Sequence, residues 1–270
     1  MATGISLTAG MRSSLYSLQN SSNLLERTQN RLSSGKKVNS ALDDPINFFA
    51  AQAHTQRATD LAALKDQMGE GIQTIKAADA GIKGITDLVA AAKSLAQSAL
   101  ASSDATEREN LSDQFDAIRG QIDNLATDSG YKGTNLLNSN DLTVNFNEDA
   151  SSNLTVSGFS ATSSGLNIDA AANNWANDAD ITAAITDLDD GRSTLRTNSQ
   201  TLSSQLSTIT IRDDYTQNMM NTLKDGADKL TAADANEEAA NMLMLQTRQQ
   251  LALSSLSMAS QAAQGVLRLF

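Results

Sequence analysis

Five stretches of this chain carry apolar or small residues at alternating steps of three and four. The first runs Met11, Leu15, Leu18, Ser22, Leu25, Gln29, Leu32, and the second runs Ile75, Ala78, Ile82, Ile85, Val89, Ala92, Ala96, Ala99. Leu111, Phe115, Ile118, Ile122 and Leu125 form the third. The fourth is Ile181, Ile185, Leu188, Arg192, Leu195, Ser199, Leu202, Leu206, Ile209. The last is Met242, Leu245, Gln249, Ala252, Leu256, Ala259, Ala263, Val266, Phe270. A mean step of 3.5 keeps one seam turned towards a partner helix, as in a coiled coil. An ordinary helical bundle shows similar stripes. Length separates the two, because no proline or long loop interrupts Asp178 to Lys224, which at 1.5 Å per residue is a rod of roughly 70 Å.

Aromatic residues make up only 4% of the chain and Trp175 is the sole tryptophan, so the helices are slender and their contacts small and numerous. The period changes at Leu142, Val144 and Phe146, which alternate with polar residues, as do Leu154, Val156 and Phe159. Asn147–Asn153 between them reads as the loop of a β-hairpin. Leu166 and Ile168 suggest one more short strand. Ser103-Asp104 followed by Glu107 resembles a capping box opening the third helix, and Asp128–Asn135 closes it with turn residues. The predicted fold class is mainly α: a long antiparallel coiled-coil helical rod with paired terminal helices and a small β-hairpin excursion. Residues 1–40 with 231–270 make the paired terminal helices. Residues 41–140 with 178–230 make the helical rod, and 141–177 make the short variable hairpin and loop segment.

The formal net charge is −11, and no lysine or arginine occurs between Gly133 and Gly191. Nucleic acid needs basic side chains to displace counterions, so it is excluded as a partner. An anionic membrane surface is disfavoured for the same reason, and no apolar run is long enough to span a bilayer. The absence of cysteine removes disulfides and thiolate metal sites. MATGISLTAGMRSSLYSLQN lacks a basic start followed by an apolar block, so it does not read as a cleavable secretory signal.

No catalytic, cofactor or metal site is expected. SSGKK fails as a phosphate loop, since Asn30 stands where its first glycine belongs and Lys37 where Ser or Thr is needed. Adjacent acids point about 100° apart on a helix, so Asp189-Asp190, Asp213-Asp214 and Glu237-Glu238 read as solvated faces. Asp187–Gly191 lacks the alternate acids and closing Glu of a calcium loop. His54, the only histidine, has no partners for a triad or zinc site and reads as a surface or packed residue. Asn153-Leu-Thr155 fits an N-glycosylation sequon, a pattern frequent by chance.

The C-terminal helix has more apolar surface than one seam requires. Met244, Leu251 and Met258 recur every seven residues just before the seam, and Leu253 and Leu267 lie just after it. Fully burying each large side chain is worth about 1.5–3 kcal/mol, so this face finds other chains or folds onto the chain's own rod.

RLSSGKKVNSALDD (Arg31–Asp44) resembles the N-terminal signature of bacterial flagellins, and GIQTIKAADAGIKGITDLV (Gly71–Val89) resembles the glycine-marked helix that follows it. YKGTNLL (Tyr131–Leu137) is similar to the turn ending the family's N-terminal part, and SMASQAAQGVLRLF (Ser257–Phe270) to its C-terminus. The resemblance covers about residues 1–140 and 180–270. It implies a secreted, extracellular subunit that self-assembles helically into the bacterial flagellar filament, a homo-polymer serving motility. It further implies unfolded passage through the flagellar type III export apparatus with an export chaperone, and folding beneath the filament cap in company with hook-associated proteins. Self-assembly then falls to Met11, Leu15, Leu18, Leu25, Leu32, Leu245, Ala252, Leu256, Ala259, Val266 and Phe270. Arg31, Gly35, Lys36, Asp43 and Asp44 fall in the spoke joining a terminal helix to the rod, with their charges available between subunits. Ser151, Ser152, Ser160 and Thr162 become candidates for O-linked sugars. A hook–filament junction protein is the nearest alternative. A helical signalling coiled coil is a third reading, with which the β-period disagrees.

Overall fold

The computed structural model describes residues 9–267, arranged as helices α1 (Ala9–Ser34), α2 (Pro45–Ala101), α3 (Ala105–Asp128), α4 (Asp178–Thr231) and α5 (Ala235–Leu267), with strands β1 (Leu142–Asn145) and β2 (Asn153–Val156) between α3 and α4. These residues fall into two compact units. One holds the chain up to Arg57 together with Thr222 onward, and the other holds Ala58–Asn221.

In the terminal unit α1 packs along α5. Gly35, at φ +67°, ends α1 in the left-handed region that glycine enters without penalty. The chain then runs antiparallel to the link between α4 and α5. Lys36 pairs with Ala232, Lys37 N–H donates to the Thr231 carbonyl at 2.8 Å, and Ala233 N–H donates to the Gly35 carbonyl at 2.9 Å. Both interruptions thus satisfy each other's backbone groups, which explains why two helical patterns halt there. Asp44 caps α2, its Oδ1 accepting the Asn47 N–H at 3.1 Å. Pro45 stands at the first helical position, where no N–H is needed. Asp234 Oδ1 caps α5 through the N–H groups of Asn236 and Glu237.

The other unit has one continuous core. The second stripe is buried along its whole length from Ile75 to Ala99, and it meets Phe115 and Ile122 of α3 and Ile181, Leu188, Leu195, Leu202 and Ile209 of α4. Arg192, placed on the same stripe by its spacing, is exposed. The hairpin pairs Leu142 with Val156 and Val144 with Leu154, so its apolar residues share one face, and that face lies on α2 at Gly71. A Cβ there would meet Val144 Cγ2 at 2.9 Å. Gly81 admits Ser129 and Leu137, and Gly84 admits Leu125, in the same way. Gly71, Gly81 and Gly84 of α2 are therefore approach points for the elements that cover it.

Two local expectations are corrected. Leu166 and Ile168 form no strand: Leu166 N–H bonds back to Thr162 and Ile168 N–H to Ser163, and Asn167 takes φ 55°. Both side chains are nonetheless buried, as anchors of a closed loop. The start of α3 is not a reciprocal box. Asp104 caps Thr106 and Glu107, but the Glu107 carboxylate takes the Ser102 hydroxyl, whose oxygen accepts the Asp104 N–H. Just before α4, Asn173, Asn174 and Trp175 take φ of 50°, 50° and 56°. This left-handed turn drives the Trp175 ring into the core against Phe115, centroids 4.9 Å apart.

Candidate self-assembly surface

The candidate surface begins with the α1–α5 seam. Met11 and Leu245 are buried, and Leu15, Leu18, Leu25, Leu32, Ala252 and Leu256 are half-buried. Ala259 is exposed and Ser260 is half-buried in its stead. Phe270 and the Val266 side chain lie outside the described residues. On α1 the seam passes through Ser21 and Thr28 rather than Ser22 and Gln29. Both choices keep a mean step of 3.5, and the shorter, methyl-bearing threonine buries at less cost than a glutamine.

Arg31 Nη1 donates to Glu238 Oε1 at 3.1 Å, with the Glu238 side chain only 9% exposed. Arg31 is therefore engaged inside its own subunit. The reading of Glu237-Glu238 as a wholly solvated pair is corrected with it, and the other two acidic pairs behave alike. Asp189 takes Lys93 at 2.6 Å and Asp213 takes Lys65 at 3.7 Å, while Asp190 and Asp214 stay exposed. Adjacent acids diverge by about 100° on a helix, so one of each pair turns inward. The heptad carries the signal for Glu238, which stands seven residues before buried Leu245.

Around the spoke, Gly35, Lys36, Lys37 and Asp43 are exposed and Asp44 is half-buried. Asp43 is held below the ordinary aspartate value of 3.8, first by the Asn39 N–H, then by Ser40. Asp44 is lowered chiefly by the Asn47 N–H. Both carboxylates thus work first as acceptors for their own backbone.

Beyond the seam α5 is apolar on its outer side as well. Leu243, Met244, Leu251, Leu253 and Met258 are all exposed, and Tyr16 of α1 is 73% exposed. A helix apolar all round is ordinarily covered all round. Covering these five would release on the order of 10 kcal/mol per subunit as an upper bound, before the costs of association. Of the candidate glycan acceptors only Ser151 is exposed, and its hydroxyl bridges Asn147 and Asp149. Ser152, Ser160 and Thr162 are half-buried, the last two bonded to each other at 2.9 Å. His54 is half-buried and packs near Gly226. Among the described residues no helix is long and apolar enough to cross a membrane.

The terminal unit is thus a pair of packed helices, α1 and α5, with an exposed apolar face on α5. The bacterial flagellin N-terminal helical region matches residues 6–141 and the bacterial flagellin C-terminal helical region matches residues 179–270; the chain belongs to the bacterial flagellin family. It is similar to flagellin FljO of Caulobacter vibrioides, 28% identical over 98% of both chains. It is also similar to flagellin C of Rhizobium meliloti, 23% identical over 99% of both, and to the Brucella melitensis flagellin, 26% identical over 95% of both. The crystal structure of Bacillus cereus flagellin matches with a TM-score of 0.49 and 18% identity over 56% of this chain and 88% of that one. The protein is a structural, non-enzymatic subunit of the extracellular flagellar filament, and the junction-protein and signalling readings are not favoured.

Proposed function

We propose that copies of this chain polymerise through the α1–α5 pair, with residues 1–40 and 231–270 forming the filament core. Met11, Leu15, Leu18, Leu25, Leu32, Leu245, Ala252 and Leu256 hold the pair together, and the outer side of α5 meets the next copies. The observation that supports this reading is the exposure of Leu243, Met244, Leu251, Leu253 and Met258 on one helix. The same stripe, unpaired before assembly, is what a flagellar export chaperone would hold during passage through the type III apparatus. The filament cap and hook-associated proteins would then meet it at the filament's ends. Ser151 is the accessible acceptor should O-linked sugar be present, and an intact filament mass equal to the sequence mass would remove that part.

Electron microscopy of the purified chain, seeded with filament fragments, tests the reading. Uniform filaments are expected from the wild type. Leu256→Asp should block growth, because it places a charge in the seam, while leaving the helices of Ala58–Asn221 intact by circular dichroism. Normal filaments from Leu256→Asp would refute the seam's role.

A further inference from the structure

We infer that Met244 and Met258, on the outer side of α5, are oxidation sites, and that their conversion to the sulfoxide by a peroxide bars a free subunit from joining the polymer. This rests on the filament reading above and adds a chemical control to its apolar face. The chain contains no cysteine, so thioethers are its only sulfur, and a two-electron oxidant meets no thiol first. The described methionines differ sharply in access. Met11, Met68 and Met220 are buried, and Met219 and Met242 are half-buried. Met244 and Met258 are 46% and 62% exposed. Both lie on one line of the helix, with Leu251 midway at the same seven-residue step, and Leu251 is itself exposed.

Hydrogen peroxide supplies the oxygen. The S–O bond forms as the peroxide O–O bond breaks, and the sulfur is oxidised by two electrons. The departing hydroxide takes the proton of the transferred oxygen and leaves as water. The product keeps the length of methionine but carries a polar oxygen. In a lone subunit that oxygen points into water and is hydrated. Beneath the next copy, among Leu243, Leu251 and Leu253, it becomes a buried acceptor with no donor. Oxidation thus acts on assembly and leaves the subunit's own packing alone. The same cover works in reverse: a copy inside the polymer has both sulfurs shielded, so sensitivity belongs to incoming subunits and to the growing end.

Hydrogen peroxide is applied to the unassembled chain, peptide masses locate each added oxygen, and seeded growth gives the critical concentration. Chain oxidised at Met244 and Met258 is expected to show a critical concentration roughly tenfold higher or more, with its circular dichroism unchanged. Methionine sulfoxide reductases of both epimer specificities should restore growth. Met244→Leu/Met258→Leu, close to the wild type in volume, should keep growing after peroxide. In grown filaments the two sulfurs should oxidise roughly tenfold more slowly than in free subunits. Growth at the untreated critical concentration with both sulfoxides present overturns the inference and leaves the filament reading standing. So does a leucine variant that peroxide still stops, equal oxidation of free and assembled chain, or growth that reduction fails to restore. An untreated wild-type chain that grows nothing from seeds overturns both.

Discussion

Arg31, in the last turn of α1, and Glu238, in the first turn of α5, meet at 3.1 Å across the terminal helix pair. Each also suits its own helix end, a cation near a C-terminus and an anion near an N-terminus. The pair is half-screened, with Arg31 27% and Glu238 9% exposed, and Arg31 Nε is buried without a partner among the described residues. Desolvation of the guanidinium is therefore only partly offset. Arg31→Met, which strands Glu238, should cost about 1–3 kcal/mol, between the values for exposed and buried pairs. Arg31→Met/Glu238→Leu should recover most of it. A double-mutant cycle on the thermal loss of helicity in assembled protein measures the coupling, and additive single effects would show that the contact fixes nothing.

Gly81 and Gly120 are both helical, yet alanine should act on them with opposite signs. A Cβ on Gly120 meets nothing within 4 Å, so Gly120→Ala should stabilise by about 0.5–1 kcal/mol through the smaller entropy lost on folding. A Cβ on Gly81 would overlap the Ser129 hydroxyl and the Leu137 side chain. Overpacking of that kind costs about 1–3 kcal/mol, against a helix-propensity gain of about 1. Gly81→Ala should therefore lower the melting temperature, and equal shifts at the two sites would contradict the close approach of α3's end to α2.

Much of this arrangement is legible in the chain itself, and the unread parts share a cause. The stripe Ile75 to Ala99 is visible because every step is apolar and every residue on it is buried. The α1 seam blurs where its polar positions could fall on Ser21 or Ser22 and on Thr28 or Gln29, since spacing alone allows both. Glu238 escapes notice because a charge suggests solvent, although its heptad position is inward. Leu166 and Ile168 alternate as a strand would, and only the backbone reversal at Asn167 shows otherwise. Leu42 stands beside Asp43 and Asp44 in a turn whose charges suggest ion pairs, while the exposed side chain of that turn is apolar.

The left-handed turn before α4 makes a backbone prediction with a built-in reporter. Asn173 and Asn174 hold φ near 50°, a conformation costing about 1–2 kcal/mol for ordinary side chains and little for glycine. Asn174→Val and Asn174→Gly both lose the side-chain bond to Glu109, so their difference isolates the backbone. Valine should destabilise by about 1–2 kcal/mol relative to glycine. Trp175, the only tryptophan, is fully buried. Its emission should shift red at a lower temperature in the valine variant. Coincident transitions would mean the turn is not held in this conformation.

Acid should loosen the protein through carboxylates whose protons are bound less tightly when folded. Lys93 Nζ donates to both oxygens of Asp189 at 2.6 and 2.7 Å, and this bond, ahead of the charges of Lys93 and Arg192, holds Asp189 below 3.8. Asp43 is lowered by its backbone donors. Groups lowered on folding contribute their full stabilisation above the unfolded value and lose it as pH falls through the folded one. The loss therefore sets in near pH 4 and grows below it. Asp187 has the opposite sign. Burial, then the charge of Asp169, raises it, so its ionised form opposes folding at neutral pH. Asp189→Asn should flatten the acid limb of a stability-against-pH curve, and Asp187→Asn should raise the plateau at pH 7 without moving that limb. If Asp189→Asn left the acid limb as steep as in the wild type, the Lys93 contact would not be what the protein loses in acid.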